Sequence, residues 1–141
     1  MRVMILLKGN AQTESGEPPD EEMLTEMSRF NEELANAGLL LQGEGLRPST
    51  TGARVLFSGK DRTVVRGPFH DSREPIAGFW IWRVDSMEQA IEWVKRCPNP
   101  TGQQGEIEIR TVWELEDIPA MTPELRKREE ELRARTEARF H

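Results

Sequence analysis

The sequence predicts an α+β fold, an antiparallel sheet with two amphipathic helices packed on one of its faces. Three observations predict it. The chain has 141 residues and 16.2 kDa, the size of one ordinary domain. Two stretches, beginning at Asp20 and at Ser86, place apolar residues at three- and four-residue steps. The segments around them read as strands, in the order strand, helix, strands, strand, helix, strand.

Arg2 to Lys8 is the first strand. Its two rows, Val3-Ile5-Leu7 and Met4-Leu6, are both apolar, so both faces call for burial. Gly9 to Pro19 is polar, with two prolines, and reads as a loop. Asp20 is placed to cap a helix whose buried face is Met23, Met27, Phe30, Leu34 and Ala37, with Gly38 at its end. Leu39 to Leu41 reads as a short strand and Gly43-Glu44-Gly45 as a turn. Ala53–Ser58 and Arg62–Arg66 form a hairpin across Gly59-Lys60-Asp61. Gly67 to Pro75 is a polar loop. Ala77 to Val84 is the clearest strand, with Phe79, Ile81 and Arg83 in one row and Trp80, Trp82 and Val84 in the other. Ser86-Met-Glu-Gln89 fits a capping box, Met87, Ala90, Ile91 and Val94 give the buried face of a second helix, and Pro98 stops it. Glu106 to Trp113 is the last strand. The stretch from Thr122 is dominated by charge, with only a narrow stripe of Met121, Leu125, Leu132 and Phe140, and predicts a solvated helix. The domain reading is an α+β body over 1–118 and a charged helical extension over 119–141.

Charge and composition exclude several functions. There are 19 Lys+Arg against 25 Asp+Glu, a net charge of -6, which offers no basic patch for nucleic acid or an anionic membrane. No apolar run approaches the roughly 20 residues that span a bilayer, and the first residues lack a signal-peptide pattern. A single cysteine, Cys97, forms no internal disulfide, so the expected setting is the reducing cytoplasm. Two histidines, His70 and His141, rule out a three-histidine metal site within one chain, and no metal or other cofactor is expected. Phosphate loops, dinucleotide fingerprints, nucleophile elbows and C-x-x-C motifs are absent from the sequence.

The order of elements suggests a ferredoxin-like sandwich. Two helices cover only one face of such a sheet. The row Trp80 and Trp82 is read as needing its own cover, since two indoles in water would forgo roughly 3–6 kcal/mol at about 1.5–3 kcal/mol per large side chain. A second copy of the chain supplies the cover in a sheet-on-sheet homodimer; the alternative is that loops or the tail fold back over the sheet.

Residues 66–82, Arg-Gly-Pro-Phe-His-Asp-Ser-Arg-Glu-Pro-Ile-Ala-Gly-Phe-Trp-Ile-Trp, resemble the signature of the YCII-related, DGPF-type proteins. Ser86 to Pro98 resembles the helix that follows it in that family, and Glu106-Ile-Glu-Ile-Arg110 its closing strand. Phe30-Asn-Glu-Glu-Leu, Ala37-Gly-Leu-Leu and Gly43-Glu-Gly-Leu46 resemble its N-terminal half. The resemblance covers Met1 to Trp113 and leaves the charged tail outside. It implies a dimeric α/β barrel of ferredoxin-like units and assigns no chemistry. YCII-type relatives of known activity resemble isomerases and a dehydrochlorinase with a His–Asp pair in the inter-subunit cleft. The sequence departs from that pattern. Arg66 stands for the signature's first Asp, and Asp71, Ser72 and Arg73 for its Glu, Thr and Lys. The first-helix histidine of the enzymes is missing from Ser28-Arg-Phe-Asn-Glu-Glu.

His70-Asp71 is the one place where a histidine meets a carboxylate, so the two are the candidate catalytic pair, with an exposed loop histidine as the alternative. Candidate ligand-binding residues are Arg66, Phe69, Glu74, Trp80, Trp82, Arg110 and Glu44. Gly67 and Pro68 would fix the loop while Phe69 anchors it. Glu74 would line a pocket or pair with an arginine. An arginine in an apolar cleft would hold an anionic small molecule, or else form an ion pair with Glu44 or Glu108. Trp80 and Trp82 would line an aromatic cleft, or fill the core. The resulting function is small-molecule binding in an apolar cleft between the sheet and the 66–75 loop, with a regulatory role. The alternatives are a cofactor-free isomerase or lyase for a small aromatic or lactone substrate, with His70 as acid/base, and a protein-binding role for the tail.

Overall fold

A computed structural model describes residues 1–70, 75–99 and 104–140, the side chains of 139 and 140 excepted. The chain divides into two compact units, Met1–Thr111 and the segment from Val112 onward.

The first unit is built on β1 (Arg2–Lys8), the single-turn helix α1 (Ala11–Glu14), α2 (Glu21–Asn36), β2 (Leu40–Gly45), β3 (Ala53–Ser58), β4 (Asp61–Arg66), β5 (Ile76–Arg83), α3 (Met87–Val94) and β6 (Ile107–Thr111). A 3-10 turn, Ser49–Thr51, lies between β2 and β3. Four strands form an antiparallel sheet in the order β2-β5-β1-β6. That order and the two long helices of the unit are compatible with a ferredoxin-like fold. β3 and β4 form a separate two-stranded sheet, inserted between the neighbours β2 and β5.

Helix ends follow the predicted chemistry. The Asp20 carboxylate accepts from Met23 N at 2.9 Å and starts α2. Ser86 Oγ accepts from Gln89 N at 3.1 Å and starts α3, while Gln89 Oε1 accepts from Asp85 N at 2.7 Å. β2 is longer than predicted and runs through Gly43-Glu44-Gly45. These glycines permit close approach rather than a turn: a Cβ on Gly43 would overlap the Trp80 indole across the strand pair.

Register decides the two faces. Val3 opposes Trp82 and Ile5 opposes Trp80, and all four are buried. Phe30 and Leu34 from α2 and Ala90 from α3 complete this core, with Leu39 and Val84. The Phe30 ring lies 5.6 Å from Trp80 and 6.3 Å from Trp82, tilted against both. Trp80 Nε1 donates to Asn31 Oδ1 at 2.9 Å. The two indoles therefore lie beneath the helices, which corrects the expectation that they form the row in need of a separate cover. The opposite face carries Met4, Leu6, Phe79 and Ile81, all half-buried. Glu44 on β2 opposes Phe79, Arg110 on β6 opposes Met4, and Arg83 opposes Arg2, so charge rims an apolar centre.

The second unit contains a 3-10 turn, Leu115–Asp117, and α4 (Pro123–Phe140). Arg126 pairs with Glu130 at 3.4 Å and with Glu116 at 3.5 Å. Among the described residues no helix is long and apolar enough to cross a membrane.

The Trp80–Asn31 bond predicts a coupled stability effect. Asn31→Ala is expected to cost about 1–2 kcal/mol in urea unfolding, because a buried indole N–H loses its acceptor. Trp80→Phe in the same background is expected to cost less than it does alone. Additive costs would show that the bond contributes nothing.

Candidate functional site

The polar residues that the fold draws together sit at the end of β1. Asn10 and Thr13 form a reciprocal cap: Thr13 N donates to Asn10 Oδ1 at 3.1 Å and Asn10 N donates to Thr13 Oγ1 at 2.8 Å. This cap folds α1 inside a stretch predicted to be loop, and α1 carries Glu14. The Glu14 carboxylate reaches the turn that opens at Ser49. Ser49 Oγ donates to Glu14 Oε2 at 2.6 Å, and Ser49 N donates to Oε1 and Oε2 at 3.2 and 3.3 Å. A carboxylate that takes both the N–H and the O–H of one residue fixes that residue firmly.

Ser49 Oγ in turn accepts from Phe69 N at 3.1 Å. The chain reaches this point through the base of the hairpin, where Gly67 N donates to Gly52 O at 2.9 Å. A Cβ on Gly67 would collide with the Ser49 carbonyl, so only glycine fits. The Gly67–Pro68 peptide is cis. The Phe69 ring is half-buried, with the Arg54 guanidinium stacked 4.0 Å above its centroid. Across the site Gly9 N donates to Pro75 O at 2.6 Å, tying the end of β1 to the entry of β5.

The candidates from sequence scatter over three places. Arg66, Phe69 and His70 lie together along the loop leaving β4, with Arg66 and His70 exposed. His70 makes no hydrogen bond to the described residues. Asp71 and Glu74 lie outside the described residues. Glu44 and Arg110 sit on opposite edge strands of the sheet, and Arg110 pairs with Glu108 at 3.3 Å. Trp80 and Trp82 lie in the core with Phe30, so the arrangement gives them packing partners rather than an open cleft. Glu14 and Ser49 were not singled out by sequence. Their only local trace is the Asn10-x-x-Thr13 cap, which announces α1 but not its partner.

Chemically, the Ser49 hydroxyl spends its hydrogen on Glu14 and a lone pair on Phe69 N. That arrangement positions a loop; it does not present a free nucleophile. Among the described residues no group of three or more His, Cys, Asp or Glu is arranged for a metal ion. Cys97 follows α3, and its thiol donates to Pro98 O at 3.3 Å. Burial pushes this thiol up to about 11 from an ordinary 9.0.

Two predictions follow from these contacts. Ser49→Ala is expected to cost about 1–3 kcal/mol and to speed amide exchange at Phe69, which loses its acceptor. Unchanged exchange at Phe69 would refute the contact. Cys97 is expected to alkylate about a hundredfold more slowly near neutral pH than an ordinary thiol, with the rate still rising above pH 9 and recovering in urea.

Comparison with known proteins places this architecture. The sequence matches the YCII-related domain over residues 1–116. It is 26% identical over 91 residues to an uncharacterized protein of Rhizobium meliloti (strain 1021), covering 64% of this chain and 73% of that protein. A match running from β1 through β6 takes in the whole sheet, both covering helices and the Ser49–Phe69 site, and on that footing the chain belongs to the YCII-related domain family.

Proposed function

We propose that this YCII-related protein is a cytoplasmic homodimer that binds a small molecule beside Phe69, in a regulatory rather than catalytic role. The ligand has an apolar body and an anionic group. One observation carries the reading: the Glu14–Ser49–Phe69 chain of hydrogen bonds holds a half-buried aromatic ring under an arginine. A fixed aromatic ring under Arg54 suits an apolar anion, which packs against the ring and pairs with a guanidinium. The dimer joins through the open sheet face, where Met4, Leu6, Phe79 and Ile81 give an apolar centre inside a charged rim.

The test uses anilinonaphthalene sulfonate, an apolar anion whose fluorescence reports burial. Saturable binding at one site per chain is expected. Phe69→Ala is expected to weaken it roughly tenfold, and Leu24→Ser, at an exposed position of α2, is expected to leave it unchanged. Binding that does not saturate, or that ignores Phe69→Ala, overturns the reading.

A further inference from the structure

The β3–β4 hairpin carries apolar side chains on both faces, in solvent. Val55, Phe57 and Val64 share one face with Arg62 and Arg66, and Leu56 and Val65 share the other with Arg54. Exposure runs from 38% at Val65 to 73% at Phe57. On the Phe57 face, Val55, Phe57 and Val64 together expose on the order of 300 Å2, the size of the largest apolar patch on a typical monomer, which is often functional. A two-stranded hairpin alone is marginally stable in water and needs a third strand or a packed face. The contacts described at its base, Gly67 N to Gly52 O and Arg54 on Phe69, do not touch the Phe57 face.

We infer that the hairpin is a dimerisation arm, which packs its Phe57 face on a second copy of this chain. Charge selects that occupant. Arg54, Lys60, Arg62 and Arg66 against Asp61 give residues 53–66 a charge of +3, which leaves -9 on the rest of a chain whose total is -6. A cationic arm is drawn to the acidic body of another copy and repelled by another arm. Area agrees. A stable interface buries about 800 Å2 on each partner. In a two-fold dimer each copy gives one arm and receives one, so two arm contacts of about 300 Å2 each supply most of that area. The inference shares with the preceding reading only the premise of a dimer.

The test is sedimentation equilibrium of the full chain, with amide exchange of the hairpin followed against protein concentration. Phe57→Asp is expected to raise the dimer dissociation constant roughly thirtyfold. Its circular dichroism is expected to be unchanged, since Phe57 belongs to no core. In the unmodified protein, hairpin amides are expected to exchange more slowly as concentration rises. A dimer that ignores Phe57→Asp, with hairpin exchange independent of concentration, overturns the arm while leaving a sheet-face dimer intact. A monomeric protein overturns both, and one whose hairpin instead binds phosphatidylserine vesicles assigns the arm to a membrane surface and overturns it as well.

Discussion

The pairing of β1 with β5 is the constraint on which the rest of the structure depends. Side chains alternate along a strand, so one residue of slip would exchange every inward and outward position. With Val3 opposite Trp82 and Ile5 opposite Trp80, both indoles turn toward α2 and α3. Phe30 then meets both rings, and Asn31, its neighbour on α2, meets the Trp80 N–H. Slip by one residue would turn Arg83 and Phe79 inward and cast two tryptophans out. The cost of a buried unpaired guanidinium makes that register inaccessible.

The same register carries the site. Because β1 and β5 run antiparallel, the end of β1 and the start of β5 meet at one end of the sheet. Gly9 and Pro75 close that end with a backbone hydrogen bond. α1 follows β1 there, and Phe69 follows β4. Glu14 and Phe69 come from these two segments, and Ser49 joins them. The hydrogen bonds at Ser49 are thus a consequence of strand pairing, made specific by one small residue at 67.

What was legible in the sequence was local. Asp20 and Ser86 sit within one turn of the amides they cap, so their helices are written in adjacent residues. The hairpin was legible for the same reason, with Gly59-Lys60 at its tip. The facing of Trp80 and Trp82 was not. Both rows of β1 and of β5 are apolar, and alternation then gives the two faces without saying which one the helices take. The extent of β2 was hidden because Gly43 and Gly45 signal a turn unless the indole opposite Gly43 is known. Glu14 and Ser49 are 35 residues apart, and a carboxylate meeting a hydroxyl across that distance leaves no periodicity to read. Arg66, Phe69 and His70 could be grouped from sequence because they share one loop. Glu44 and Arg110 could not be separated from them without the strand order.

One physical link connects the hairpin to the loop. Arg54 belongs to β3, yet its guanidinium lies on Phe69, beyond the end of β4. The hairpin and the aromatic ring are therefore linked by this stack and by the Gly67 N–Gly52 O bond at the hairpin base. A two-stranded hairpin is marginally stable without a packed face, so the proposed packing would bear on how firmly Arg54 is held over the ring. On the proposed readings, hairpin packing would carry part of the entropy of ordering Arg54, and a packed hairpin would strengthen an anion bound beside Phe69. Linkage makes the effect reciprocal, and an anion that holds Arg54 also stiffens the hairpin.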